Sequence, residues 1–158
     1  MSKNNLKNIL YTVGLIVLVG GLFIYPVVTD PNRPLIKAWN AAGIGCLAGH
    51  TNLSQHIHQQ ISITVDGNEE KIPGNTGIVP ACMAELHVHD GEPNLIHLES
   101  IAAGKKFKLS DFFIVYGKPL IREGYKLEVT LNGAKVEDPA NLILEDKQIL
   151  AVKYTKEN

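Results

Sequence analysis

The sequence predicts a small α+β domain, rich in strands that form antiparallel hairpins with one or two short helices, behind an N-terminal transmembrane helix. Three observations support this prediction: a long uncharged apolar run, several segments that alternate apolar and polar side chains, and turn dipeptides between those segments. The 158-residue chain has a net charge of −1. It has no basic patch of the kind that binds nucleic acid, so we expect no nucleic-acid partner.

The first element is predicted to be a single-pass signal-anchor helix over residues 9–28. Residues 8–29 contain no charge, and about 20 apolar helical residues span the ~30 Å hydrocarbon core of a bilayer. Tyr11 and Tyr25 lie near the two ends, where interfacial aromatic side chains are common. A cleaved signal peptide is the alternative, but its apolar core is usually about 7–15 residues long and is followed by small residues at a cleavage site.

The remaining domain boundaries follow from this anchor. We expect residues 1–8 to be a short cytoplasmic tail, residues 29–34 a stiff linker rich in turn formers, and residues 35–158 an extracytoplasmic globular domain. Basic residues are nearly balanced across the apolar run, so the brevity of the tail decides the predicted orientation. The expected partners are membrane lipid, through the helix, and a membrane protein.

The first part of the domain is predicted to begin with a short helix and to continue as a strand. Leu35, Ile36 and Trp39 share one helical face, but three glycines shortly afterwards argue against a long helix. Residues 56–65 alternate histidine or other polar side chains with isoleucine and valine, which is typical of a half-buried strand. The dipeptide at 66–67, Asp-Gly, predicts a tight turn into a short return strand.

A second hairpin is predicted where residues 84–90 and 95–100 alternate around a five-residue loop rich in turn formers. In this register His87 lies opposite His97, and Glu85 lies opposite Glu99. Like charges opposite one another are destabilising, so a cation near the two glutamates would relieve the conflict. Because the flanking residues are polar, the sequence gives no indication that these carboxylates are buried.

The last third of the domain is predicted to hold one short helix and three strands. The helix runs from a cap at Ser110 to a stop at Gly117. Residues 126–133 form a strand that ends in Asn-Gly, and residues 141–154 form a strand, a turn at 146–147 and a final strand. This third resembles the closing portion of a β-grasp domain.

Five of the six histidines lie in two short stretches, which predicts a metal site on a strand face. In a strand, residues i and i+2 point the same way, so each His-x-His presents two imidazoles about 7 Å apart. Imidazoles supported by carboxylates favour transition metals, and zinc or copper is the expected cofactor. The candidate metal ligands are His56, His58, His87, His89, His97, Glu85 and Glu99.

The two cysteines, Cys46 and Cys82, are predicted to form a disulfide in an oxidising compartment. Thiolate ligation of a metal is the alternative, because Cys82 precedes Met83 and Cys46 lies four residues before His50. With the cysteines joined, His50 is expected to be an ordinary loop residue.

The sequence does not predict a particular reaction, and we do not expect an enzyme from it. It contains no nucleophile elbow, no His-Glu-x-x-His, no P-loop and no dinucleotide fingerprint. Three functions stay open: metal handling or a structural metal, an interaction or accessory domain of a membrane complex whose histidines bind no metal, and a metal-dependent hydrolase or oxidase. The first two differ in whether a chelator changes stability, and the third requires a cleft beside the histidines.

The order of motifs resembles a group of uncharacterised bacterial and archaeal membrane-anchored proteins. The motifs are HIH at 56–58, the cysteine at 82, LHVHD at 86–90, IHLES at 96–100 and FKLSDFF at 107–113. The resemblance covers residues 46–154 and implies a single membrane-tethered domain. It implies no substrate.

Overall fold

The computed structural model describes residues 3–157, and within the first helix it describes the side chains of residues 7–24. The chain divides at Arg33 and Pro34 into two units. The first unit is helix α1, Lys3–Thr29. Its stretch Lys7–Ile24 is long and apolar enough to cross a membrane, and none of it is buried. The predicted interfacial position of Tyr25 lies outside the described side chains, as do the first two residues of the predicted tail.

The second unit is a mixed α+β structure, as the sequence predicts. Its helices are α2, Arg33–Ala41, and α3, Leu109–Tyr116, with a 3-10 turn at Pro139–Asn141. Its first five strands are β1, Cys46–Leu47; β2, Gln55–Val65; β3, Asn68–Glu69; β4, Ile78–Val79; and β5, Cys82–Ala84. The other five are β6, Leu86–His87; β7, Leu95–Ser100; β8, Tyr125–Leu131; β9, Ala134–Lys135; and β10, Ile149–Lys156.

Within the described residues the strands form two sheets. The larger has the order β6-β7-β2-β10-β8-β9, and β3 pairs with the end of β2. The smaller has the order β1-β5-β4. Neighbours in the larger sheet are antiparallel, except that β10 runs parallel to β2. Strand β2 is therefore internal, with the histidine-bearing strands β7 and β6 on one side of it.

One face of the larger sheet packs into the hydrophobic core. Isoleucines of β2 alternate inward, and Ile96 and Leu98 of β7 do the same. Helix α3 adds Phe112 and Phe113, and α2 adds Trp39. Because side chains alternate along a strand, the histidines of β2 lie on the face of the sheet opposite to its buried isoleucines.

Several predicted turns are present, and two details of the prediction are wrong. Residues 66–67 and 132–133 turn with positive φ at all four positions, as tight hairpin turns require. Helix α3 ends at Gly117 in the left-handed conformation, but it is capped at Lys108, not at Ser110. The Asp111 carboxylate accepts the Lys108 N–H at 2.8 Å, which sets the helix start two residues earlier. The strand predicted at the beginning of residues 141–154 is reduced to one isolated bridge at Ile143.

Candidate metal centre

Strand pairing brings the histidines of three strands into one row. His87 of β6 lies opposite His97 of β7, and His97 lies opposite His58 of β2. In the next row His56 lies opposite Glu99. The predicted hairpin register, with His87 facing His97, is therefore the observed one.

The two histidine stretches meet at His97 and form one continuous cluster. The His97 ring centroid lies 4.6 Å from that of His58 and 4.5 Å from that of His89. The other contacts between histidine rings have centroid distances of 4.5–5.9 Å. Together the contacts join all six histidines of the sequence: His50, His56, His58, His87, His89 and His97.

Within the described residues, the first group of side chains able to hold a metal is His50, His87, His89 and Glu99, whose donor atoms all lie within 4.8 Å of one another. The His87 and His89 Nε2 atoms are 3.2 Å apart, and His50 Nδ1 is 2.9 Å from Glu99 Oε2. Four donors around a tetrahedral ion with ligand distances of 2.0–2.1 Å are separated by about 3.3–3.4 Å. These two separations are close to the tetrahedral value, and all the others are within 4.8 Å.

His87 is held in the protonation state that a metal ligand needs. The ring is fully buried, and its Nδ1–H donates to the Ala84 carbonyl at 2.8 Å, which leaves the Nε2 lone pair toward His89. Burial lowers the pKa of His87 to about 4, although the hydrogen bond to Ala84 acts in the opposite direction. The metal-free side chain is therefore neutral near pH 7.

The second group is His56, His58 and His97, also with donor atoms within 4.8 Å of one another. His97 is buried, and its Nε2 lies 2.9 Å from a carboxylate oxygen of Glu92. Burial lowers the pKa of His97, and the nearby His89 and His58 act in the same direction, whereas Glu92 raises it. His56 and His58 are exposed on the outer side of this group.

The two glutamates of the predicted pair are both buried but have different partners. Glu85 forms an ion pair with Lys105, accepts the Gly45 N–H at 2.6 Å and accepts the Ser100 hydroxyl at 2.7 Å. Burial raises the pKa of Glu85, but these hydrogen bonds outweigh it and lower the pKa overall. Lys105 thus supplies the cation expected for Glu85, and this carboxylate is outside both metal-ligating groups.

Glu99 has histidines as its neighbours. Among the described residues, its carboxylate oxygens lie 2.9 Å from His50 Nδ1, 3.1 Å from His56 Nε2 and 4.0 Å from His97 Nδ1. The side chain is 0% exposed. A buried carboxylate that faces three imidazoles is well suited to bind a cation, because a carboxylate buried without a positive charge is strongly disfavoured.

The polar face is buried because the segment that follows α2 covers it. Gly45 approaches Glu85 so closely that a β-carbon there would lie 3.1 Å from its carboxylate oxygen, and His50 reaches Glu99. A disulfide between Cys46 and Cys82 joins this segment to β5, as the sequence predicts. The cysteines are therefore not thiolate ligands.

The structure brings six of the seven predicted ligands into the two groups and leaves out Glu85. It adds His50, which lies in a loop as expected but contacts Glu99. The spacing of Cys46 and His50 is the signal that could have identified it, because a half-cystine four residues away limits where this histidine can lie. Metal binding itself stays a prediction.

Comparisons with known proteins give no family for this chain. No protein-family model, no curated protein and no solved structure matches it.

Proposed function

We propose that this chain is a membrane-anchored, extracytoplasmic metal-binding protein that holds a transition-metal ion through His50, His87, His89 and Glu99. The observation that carries the proposal is the convergence of these four donor groups within 4.8 Å of one another. The buried His87, with its lone pair already directed by the Ala84 carbonyl, supports it because a fixed tautomer is typical of ligating histidines.

The donor set favours zinc or divalent copper. Three imidazoles and one carboxylate are borderline donors, whereas calcium and magnesium prefer oxygen ligands alone. The disulfide removes the two thiols that would favour monovalent copper. Three or four protein ligands, with His50 half-exposed, allow either a closed structural site or one that exchanges its ion.

The location in our proposal combines two features. Helix α1 is long and apolar enough to anchor the chain in lipid, and the disulfide is typical of an oxidising compartment. We assign residues 1–8 to the cytoplasm and residues 35–158 to the other side. In this location the domain would capture or hand on metal ions next to a membrane-protein partner.

An enzymatic role has less support. An open cleft of about 480 Å³ is lined by Glu92, which contacts His97, and by residues of β2 and β10. None of the histidines lines this cleft in the described part of the chain. A hydrolase or oxidase would need its substrate next to the ion, so metal handling fits the geometry better.

Elemental analysis of the 158-residue chain tests the proposal. The protein is produced without a polyhistidine tag, purified in detergent, stripped with a chelator and offered each divalent metal in turn. We expect near-stoichiometric uptake of zinc or copper, with stabilisation of about 2.7 kcal/mol when free metal exceeds Kd 100-fold.

His89→Gln is expected to lose this ion, whereas Gln60→Ala is the matched control on the exposed face of β2. Absence of uptake and of any thermal shift with every metal would contradict the proposal.

A metal-free interaction or accessory domain is the second candidate. The parallel stacking of His87 on His97, with centroids 5.4 Å apart and planes at 14°, favours it, because such packing also stabilises a purely structural face. This candidate predicts identical unfolding curves with and without chelator in metal-containing buffer. The metal-binding proposal predicts different ones.

A further inference from the structure

The second histidine group contains a buried nitrogen that lacks a partner. His97 is 5% exposed, and its Nδ1 has no hydrogen-bond partner among the residues described. Its Nε2 lies 2.9 Å from the Glu92 carboxylate, which can only accept, so the proton belongs on Nε2. Nδ1 therefore carries a lone pair inside the cluster, and a buried lone pair of this kind ordinarily has a donor or a cation.

Three side chains lie beside this lone pair, and the donor atoms of His56, His58 and His97 are within 4.8 Å of one another. The same oxygen of Glu99, Oε1, lies 4.0 Å from His97 Nδ1 and 3.1 Å from His56 Nε2. The His58 ring is 4.5 Å from that of His56 and 4.6 Å from that of His97. These imidazoles and one carboxylate oxygen are the donor groups available to a second metal ion.

The Glu99 carboxylate also contacts the first group. His50 Nδ1 lies 2.9 Å from Oε2 and 3.1 Å from Oε1, and Oε1 is also 3.1 Å from His56 Nε2. One buried carboxylate therefore contacts a histidine of each group. A carboxylate in this position can bridge two metal ions.

We propose that the cluster is a dinuclear metal centre in which His56, His58 and His97 hold a second divalent ion and Glu99 bridges it to the first. This inference rests on the proposed function and goes beyond it in stoichiometry and in the role of Glu99. Two of the three histidines of this group, His56 and His58, are exposed, whereas His87 and Glu99 of the first group are buried, so the second ion keeps water or another exchangeable ligand. The second ion is therefore the more exposed and the more readily exchanged of the two.

Metal stoichiometry and magnetic coupling test the proposal on the complete 158-residue chain. The untagged protein in detergent is stripped with chelator and titrated with Co²⁺ by absorption and with Cu²⁺ by electron paramagnetic resonance. We expect two equivalents to bind, and we expect the doubly loaded copper form to show fewer spins than copper ions because the carboxylate couples them.

Variants separate the two positions. His58→Gln, at an exposed side chain, should bind one ion with full spin intensity and weaken the second step by more than the roughly 10–100-fold typical of outer-sphere partners. His89→Gln should lose the first ion, and Gln60→Ala should bind two. Thermal unfolding of the stripped proteins shows whether each variant is folded, and the wild-type stoichiometry does not depend on any variant.

The outcomes distinguish this proposal from the one on which it rests. If the wild type binds one metal ion per chain and His58→Gln binds the same number, the second metal position is overturned and the single-ion proposal stands. Two equivalents with full spin intensity overturn the bridge. No uptake of either metal overturns both proposals.

Discussion

The buried His87 makes a quantitative prediction for the metal-free protein: stability should fall as the pH decreases from about 6.5 to about 4. Its pKa is lowered from 6.5 to about 4, mainly by burial. Above pH 6.5 the side chain is neutral in both states, and the native state is fully stable. Between the two values the unfolded chain binds a proton that the native protein does not, so unfolding becomes easier. At 1.36 kcal/mol per pKa unit the loss is roughly 3 kcal/mol.

Urea unfolding in chelator at a series of pH values between 7.5 and 4 measures this loss. Carboxylates titrate in the same range, so the informative quantity is the difference in unfolding free energy between the wild type and His87→Gln. The variant has its own cost, but that cost does not change with pH. The difference should therefore shrink by roughly 3 kcal/mol as the pH falls to 4.

Gln60→Ala is the control, because neither side chain titrates and its difference from the wild type should stay constant with pH. Parallel curves for the wild type and His87→Gln would refute the reasoning. They would mean that this imidazole is protonated as easily in the native protein as in the unfolded chain, and that the fixed lone pair is absent.

Three further predictions concern the stability of the domain. Replacing Cys46 and Cys82 by serine removes a disulfide that closes a loop with a sequence separation of 36. Urea unfolding should therefore show a loss of about 4 kcal/mol in the free energy of unfolding. Unchanged stability would contradict this prediction. Lys105→Met removes the cationic partner of the buried Glu85, and calorimetry should show a loss of about 2 kcal/mol in the free energy of unfolding, with metal stoichiometry unchanged. Loss of an ion would instead make this glutamate a ligand. The hydrogen bond from Arg122 is the largest of the causes that lower the pKa of Glu70 to about 2. Arg122→Met should therefore lower the free energy of unfolding by about 2 kcal/mol at neutral pH, and this loss should fade as the pH falls from 4.5 to 2. A loss independent of pH would contradict the assignment.

The local part of the site could be predicted from the sequence. Alternation fixes which side chains share a face, and the five-residue loop fixes that His87 lies opposite His97. The glycine that ends α3 and the hairpin turns are also local, because positive φ restricts the residue type. These features depend on neighbours within about 15 residues along the chain.

The rest depends on contacts between distant segments. Nothing near Glu85 in the sequence indicates that Lys105 pairs with it. The spacing of Cys46 and His50 limits where His50 can lie, but it does not indicate Glu99 as its contact. The alternating pattern predicts one solvated face, yet both faces of the hairpin are buried because residues 45–50 lie over the polar one. The sequence also does not show that the two histidine stretches meet, since the pairing of β2 with β7 is a tertiary contact.

The parallel pairing of β2 with β10 has a consequence for the order of folding. Gln60 pairs with Ile149, 89 residues later in the chain, so β2 has neighbours on both sides only after β10 has been synthesised. Such high contact order slows folding and leaves the backbone of β2 available to other chains in the meantime. In the extracytoplasmic location that we propose, this sheet would close only after the last strand has crossed the membrane.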